Sequence, residues 1–108
     1  MNFSVLITEQ AHADIQRNAL WWAEHYSVEQ AIQWQGTVYR QIDAIANMPE
    51  SYSLSPENAQ LPFQLREQHV GLGRKGYRAI FTIRGTDVLV LAVRRGAQDA
   101  LRADEITD

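Results

Sequence analysis

The segment YRAIFTIRGTDVLVLAV, residues 77–93, carries the pattern that decides the fold. In its first half, apolar side chains occupy every second position, namely Tyr77, Ala79, Phe81 and Ile83. This period of two predicts a strand with one buried face. Gly85-Thr86-Asp87 then reads as a tight hairpin connection, and residues 88–93 are continuously apolar, as in a central strand buried on both sides. The segment therefore predicts two adjacent antiparallel strands.

The N-terminal half of the chain predicts two amphipathic helices. Apolar residues recur there every three or four positions, as one face of a helix requires. The members are Ala11, Ile15, Ala19, Trp22 and Tyr26 in the first helix, and Ala31, Trp34, Val38, Ile42 and Ile45 in the second. Thr8 and Ser27 are suitable N-caps, and Pro49 marks the end of the second helix. Almost no chain separates the helices, so they should form a hairpin.

The predicted element order is β-α-α-β-β-β, in a single α+β domain that spans residues 1–108. Residues 3–7 form the opening strand, residues 50–62 a polar loop, and a strand begins at residues 63–66 before a glycine-rich bend. The helical hairpin should cover one face of a mostly antiparallel sheet. The alternation then places Arg78 and Arg84 on the opposite face, with Arg66 beside them. An open, arginine-bearing sheet face is the predicted ligand surface.

Composition narrows the class of protein. The 108 residues are 45% hydrophobic and include no cysteine, which suits one globular domain in a reducing cytoplasm and excludes thiolate chemistry. The start of the chain does not resemble a signal peptide, and no apolar run approaches membrane-spanning length.

Charge is distributed unevenly. A net charge of −3 argues against general nucleic-acid coating, yet residues 61–95 contain seven basic and only two acidic residues. This asymmetry indicates a local site for an anion or an acidic peptide. The candidate partner-binding cations are Arg66, Arg74, Lys75, Arg84 and Arg94.

Trp21 and His69 are two further candidate functional residues. Trp21 lies about 120° away from the apolar stripe of its helix, so it is either a partner contact or covered by another element. His69 is either a general base near the arginine face or a polar residue at a strand end. The spacing of the three histidines predicts no metal site, and no cofactor is expected.

Two stretches resemble the RelE/ParE superfamily of toxins from type II toxin–antitoxin and plasmid-stabilisation modules. Gly76-Tyr77-Arg78-Ala79-Ile80-Phe81 is similar to the superfamily's YR-hydrophobic run, and residues 88–99 are similar to its closing strand and following glycine. The resemblance implies a cytoplasmic toxin that a cognate antitoxin neutralises. RelE-like members cut messenger RNA on the ribosome, whereas ParE-like members inhibit DNA gyrase.

The chain departs from the RelE-type nuclease pattern. Such nucleases carry lysines on the preceding strand at positions that His69 and Gly71 occupy here. They also have a basic residue after the closing glycine, where this chain has Gln98, and a tyrosine in the C-terminal tail, where this chain has none. We therefore expect a ParE-like toxin that is not an enzyme and acts on gyrase by protein–protein contact. One alternative is a metal-independent endoribonuclease that acts on ribosome-bound mRNA through Arg78, Arg95 and His69. Another is a degenerate module that only binds its antitoxin.

Overall fold

The elements follow one another in the predicted order. The structure, a computed structural model, describes residues 2–60, 62–71, 76–96 and 100–105. The helices are α1 (Glu9–His25) and α2 (Val28–Ala44), and the strands are β1 (Ser4–Ile7), β2 (Arg66–Val70), β3 (Tyr77–Arg84) and β4 (Asp87–Arg95). The strand predicted to begin at residue 63 starts at Arg66, and the backbone carbonyl of Leu65 accepts a hydrogen bond from the N–H of Ser55, which lies outside the strands of the sheet.

Local chemistry explains where the helices begin. Thr8 Oγ1 accepts a hydrogen bond from the N–H of Ala11 at 3.2 Å, and Ser27 Oγ accepts one from the N–H of Gln30 at 3.0 Å. Each cap satisfies a backbone donor that the first helical turn leaves without a partner. Both caps were predicted. At its other end, α2 tightens into a 3₁₀ turn over Ile45–Asn47 before Pro49.

The sheet has the order β1-β4-β3-β2. β1 runs parallel to β4, and the other two pairings are antiparallel. β4 is therefore central, as its continuous apolar sequence predicted. Between the pairs Ile80–Ala92 and Phe81–Val90 the register shifts, and this bulge leaves Leu91 as an extra residue on β4.

The two faces of the sheet bury separate cores. On one face α1 and α2 pack against the strands through a core that includes Ile15, Trp34, Val38 and Phe81. The other face carries a smaller core of Leu65, Ile80, Leu91, Ala92 and Leu101, with Phe63 and Leu89 packed beside it. The prediction that this second face is open is therefore wrong. Phe63 and Leu65, from the stretch predicted to begin a strand, and Leu101, from the C-terminal segment, cover it.

Candidate functional site

The two arginines at the paired ends of β3 and β4 are buried rather than displayed. Arg78 and Arg94 are directly opposite in the register, and they are only 3% and 6% exposed. The expected projection of Arg78 into solvent is wrong, and so is the idea that Arg94 lies on an open surface. Buried guanidinium groups need carboxylate partners, since an isolated charge away from water is costly.

Arg78 is held by two glutamates and a backbone carbonyl. Its Nη1 and Nη2 donate to the two carboxylate oxygens of Glu57 at 2.9 and 3.0 Å, and Nη1 also donates to Glu67 at 2.9 Å. Its Nε donates to the carbonyl of Gly96 at 3.1 Å. This bidentate arrangement matches the shapes of the two groups and is the strong form of an arginine–carboxylate pair.

This arrangement shifts the pKa values of both Glu57 and Arg78. Burial of the Glu57 carboxyl opposes its ionisation, but hydrogen bonds from Arg78 and from the N–H of Leu101 prevail and hold the Glu57 pKa at about 2. Burial likewise disfavours the charged form of Arg78, yet its hydrogen bonds to Glu57 and Glu67 raise the pKa of Arg78. Both groups are therefore charged at neutral pH.

Arg94 belongs to a second network centred on a fully buried carboxylate. Asp14 Oδ2 accepts from the N–H of Val93 at 3.0 Å and from Arg94 Nε at 3.2 Å, while Oδ1 accepts from Arg17 and Gln10. Arg94 Nη2 also donates to Glu105 at 3.1 Å. β1 pairs with β4 only as far as Val90, so the N–H of Val93 lies beyond the end of β1. The Asp14 carboxylate accepts a hydrogen bond from this N–H instead.

Both networks attach the C-terminal segment to the sheet. Glu57 accepts the N–H of Leu101 at 2.9 Å, and Glu105 pairs with Arg94. The backbone N–H of Arg102, together with Arg94, lowers the pKa of Glu105. Arg78 and Arg94, two of the arginines predicted to face an external ligand, are therefore paired with internal carboxylates.

Sequence reasoning missed the acidic partners of these arginines. Asp14 did carry a signal, because it lies three residues after Ala11 and next to Ile15, within the apolar arc of α1. An acidic residue in such an arc requires a buried partner. Glu57 carried none, since it lies in a polar segment with no periodic pattern.

The other predicted cations do not gather around Arg78. Arg66 is opposite Phe81 in the register, so its side chain leaves the sheet on the helix side, where Nη1 donates to the carbonyl of Tyr52 at 2.6 Å. Arg84 is exposed at the far end of β3, about 20 Å from Arg78 at the rise of a strand. Arg74 and Lys75 lie outside the described residues.

His69 and Arg95 lie on opposite faces of the sheet. His69 is paired with Arg78, and its side chain is 76% exposed with Nε2 3.8 Å from a carboxylate oxygen of Glu67. Arg95 is paired with Tyr77, whose ring belongs to the helix-side core. Residues directly opposite in an antiparallel pair point the same way, so these two side chains diverge.

Arg95 forms one layer of an aromatic stack at the end of α1. Its guanidinium carbon lies 4.7 Å from the centre of the Trp21 ring, and His25 stacks on Trp21 with ring centres 4.2 Å apart. Tyr26 meets Trp21 edge-on and is 60% exposed. Trp21 was predicted to be either a partner contact or covered by another element. Neighbouring side chains cover part of its ring, and the rest is exposed.

Within the ranges that the structure describes, no group of three histidine, cysteine or acidic side chains is arranged to hold a metal ion. In the same ranges, no helix has the length and apolar character needed to cross a membrane.

Comparisons with known proteins identify the family. Residues 5–100 match the family model described as the ParE toxin of the type II toxin–antitoxin system parDE. Among solved structures, one described as the chromosomal ParDE TA system from P. aeruginosa aligns with a TM-score of 0.72 at 18% identity, over 86% of this chain and 95% of that chain. That likeness concerns the fold. No curated protein matches the chain. Because the family model covers nearly all of the sequence, the chain belongs to the ParE toxin family of type II toxin–antitoxin systems.

Proposed function

We propose that this toxin inhibits DNA gyrase in the cytoplasm by protein–protein contact, and that its cognate antitoxin neutralises it. The observation that carries the choice of target is the burial of Arg78 between Glu57 and Glu67. Family membership alone supports a toxin component, and the pairing of this arginine with internal carboxylates supports gyrase rather than mRNA as the target.

A nuclease needs charged groups that can reach the scissile phosphate. Proton transfer requires hydrogen-bond contact with the reacting atoms, and the extra negative charge of the transition state needs donors aimed at it. At least four N–H donors of Arg78 already serve carboxylate or carbonyl oxygens. A phosphate would have to displace Glu57, which accepts two hydrogen bonds from Arg78 at 2.9 and 3.0 Å.

The other two candidate catalytic residues also fit cleavage poorly. His69 and Arg95 point away from opposite faces of the sheet, so they cannot act together on one phosphate. The endoribonuclease alternative would therefore need a large rearrangement of this end of the sheet. Inhibition by surface contact needs no such rearrangement.

The stack of Arg95, Trp21 and His25 is our candidate for the surface that contacts the target. Tryptophan, tyrosine and arginine dominate the binding energy of protein interfaces, and here they are held by one another before any partner arrives. We expect Trp21→Ala to weaken inhibition at least tenfold without unfolding the protein. The matched control is Gln33→Ala, an exposed position on α2.

Two assays with the purified protein test the proposal. One measures DNA supercoiling by gyrase, and the other maps mRNA ends by primer extension in a translating extract. Loss of supercoiling with intact mRNA is the expected result. Cleavage within codons would favour the endoribonuclease, and neither effect would favour the degenerate antitoxin-binding module. Adding the cognate antitoxin should restore supercoiling.

A further inference from the structure

A small cavity lies at the edge of β3, where this strand extends past the start of β2. β2 begins at Arg66, which is paired with Phe81, so Thr82 and Ile83 lie beyond its start. The cavity has a volume of about 220 Å³, and its lining residues are Phe63, Gln64, Arg66, Thr82 and Ile83. Ile83 packs against the helix-side core and Phe63 beside the smaller core, so the cavity reaches both sides of the sheet edge.

Arg66 differs from the two buried arginines because its partners are neutral. Its Nη1 donates to the backbone carbonyl of Tyr52 at 2.6 Å, and its Nη2 donates to the side-chain oxygen of Gln64 at the long distance of 3.5 Å. Within the part of the chain that the structure describes, Arg66 forms no ion pair with a carboxylate. A guanidinium has five N–H donors, so most of those on Arg66 remain for a ligand. This half-buried cation is therefore placed to receive its counter-charge from an external anion.

The charge of the cavity favours a carboxylate over a phosphate. Of the five residues that line it, Arg66 alone is charged. A carboxylate carries one negative charge and two coplanar oxygens, which fit a guanidinium bidentately. A phosphate group carries roughly −1.5 to −2 charges at neutral pH, so part of its charge would stay uncompensated here. The amide nitrogen of Gln64, beside Arg66, provides two further donors for the same anion.

The walls of the cavity suit one apolar group of limited size. Phe63 and Ile83 supply an aromatic ring and a branched chain, and both are half-buried. A cavity of about 150 Å³ accepts a benzene ring, whereas pockets for drug-sized ligands exceed about 300 Å³. The volume of about 220 Å³ therefore fits a single ring or branched chain together with its carboxylate. Thr82 Oγ1 donates to the carbonyl of Gln64 at 2.8 Å, which fixes one wall before a ligand binds.

We propose that this cavity binds a carboxylate attached to one small apolar group. The carboxylate pairs with the guanidinium of Arg66 and the amide of Gln64. The apolar group lies between the side chains of Phe63 and Ile83. Charge and shape each contribute to the selection, because the cation requires an anion and the walls exclude a large or fully polar one.

This site is separate from the aromatic stack that we propose contacts gyrase. Ile83 lies six residues along β3 from Tyr77, which is paired with Arg95 of that stack. At the rise of a strand, this separation is about 20 Å. The proposal therefore goes beyond gyrase inhibition and does not depend on it.

The test titrates the full-length toxin with benzoate and follows the backbone amide signals by nuclear magnetic resonance. Saturable shifts are expected in residues 63–66 and 82–83, with a Kd of roughly 0.1–5 mM for a ligand of so few atoms. Benzamide keeps the ring without the charge, and acetate keeps the charge without the ring. Each should bind at least about tenfold more weakly than benzoate. Inorganic phosphate should bind no more tightly than acetate.

Gln64→Glu is the sharpest variant, because it preserves the size of an exposed side chain and places a carboxylate beside Arg66. This internal carboxylate occupies the position of the ligand's own, so benzoate should bind at least about tenfold more weakly. The matched control is Gln33→Glu, the same change at an exposed position on α2 outside the cavity. Its Kd should change by less than about twofold, because salt screens a distant exposed charge.

Arg66→Gln removes the cation itself. Benzoate and benzamide should then bind equally weakly, because their difference depends on the guanidinium. Arg40→Gln, at an exposed position on α2, removes the same charge and should retain the preference for benzoate. Equal thermal unfolding temperatures for these variants and the wild type would show that all of them fold.

Both free metabolites and the last residue of a polypeptide carry such a carboxylate. Acetyl-glycyl-leucine represents the end of a polypeptide. If it binds the same residues more tightly than benzoate does, the site receives a chain terminus. If benzoate binds more tightly, the site receives a free small molecule. Either result supports a carboxylate on Arg66.

Three results would overturn the proposal. The first is a set of benzoate shifts that do not saturate or that lie outside residues 63–66 and 82–83. The second is saturable binding that Gln64→Glu and Arg66→Gln both leave unchanged. The third is tighter binding of phosphate or benzamide than of benzoate, which would exclude selection of an apolar carboxylate.

Discussion

The two faces of the sheet are closed by different means. The face under α1 and α2 is covered by side chains that recur at helical spacing, and its core holds Ile15, Trp34 and Phe81. The opposite face is covered by residues 63–65 and Leu101, and two buried arginines anchor the segments around it. One face depends on regular elements, and the other depends on a few long-range contacts.

The difference shows how alternation can mislead. Arg78 does lie on the face that the period of two assigned to it, together with Ile80. The prediction treats every position on the second face as exposed to water. An irregular segment can instead cover that face and place a carboxylate beside a cation that it buries. Single substitutions on the two faces can therefore test whether the second face is closed as firmly as the first.

The largest effect is expected at Arg78. Arg78→Ala leaves Glu57 buried without its partner, so the free energy of unfolding should fall by about 3–5 kcal/mol. The control is Arg84→Ala, at the exposed end of the same strand, which should cost less than about 1 kcal/mol. Urea unfolding measures both values. Equal, small losses would mean that the second face is open after all.

A dependence on pH should follow from Glu57. Its folded pKa of about 2 lies below its usual value of 4.5, so the carboxylate stabilises the fold above pH 4.5, and this contribution is lost as the pH falls towards 2. The full contribution is roughly 3 kcal/mol. The stability advantage of the wild type over Glu57→Gln should therefore shrink by most of that amount between pH 4.5 and pH 2.

The control for this titration is Glu24→Gln, which changes an exposed carboxylate. The same urea unfolding series on this variant gives the reference against which the change for Glu57→Gln is judged. A constant difference between the wild type and Glu57→Gln would contradict the strong pairing of Glu57 with Arg78.

The difference in stability between substitutions in the two cores should be the smallest of these effects. Leu→Ala and Ile→Ala changes in a core cost about 2–5 kcal/mol, depending on how far the surroundings relax. Ile15→Ala, under the helices, should fall in the upper part of that range. Leu101→Ala should fall in the lower part, because Leu101 belongs to the smaller of the two cores. Leu20→Ala, 63% exposed, serves as the control for both, and a larger loss at Leu101 than at Ile15 would reverse the ranking of the two faces.

The elements, their order and the face that the helices cover could all be predicted from local sequence patterns. The caps at Thr8 and Ser27, the stripes of α1 and α2 and the continuous apolar run of β4 are local patterns, and local sterics and hydrogen bonding make them readable. The two stretches at residues 76–81 and 88–99 also sufficed to indicate the superfamily.

The roles of Arg78 and Arg94, in contrast, depend on contacts between segments that are distant in the sequence. Glu57 is 21 residues from Arg78, and Asp14 is 80 residues from Arg94, so no spacing rule joins them. Long-range pairs depend on how irregular segments fold back, and the free energy of a buried charge then dictates the pairing. The same holds for the cavity beside Arg66, because residues 63–66 must pack against β3 before they enclose it. Local sequence determines elements, and the packing of distant segments determines which charges and apolar groups remain for a partner.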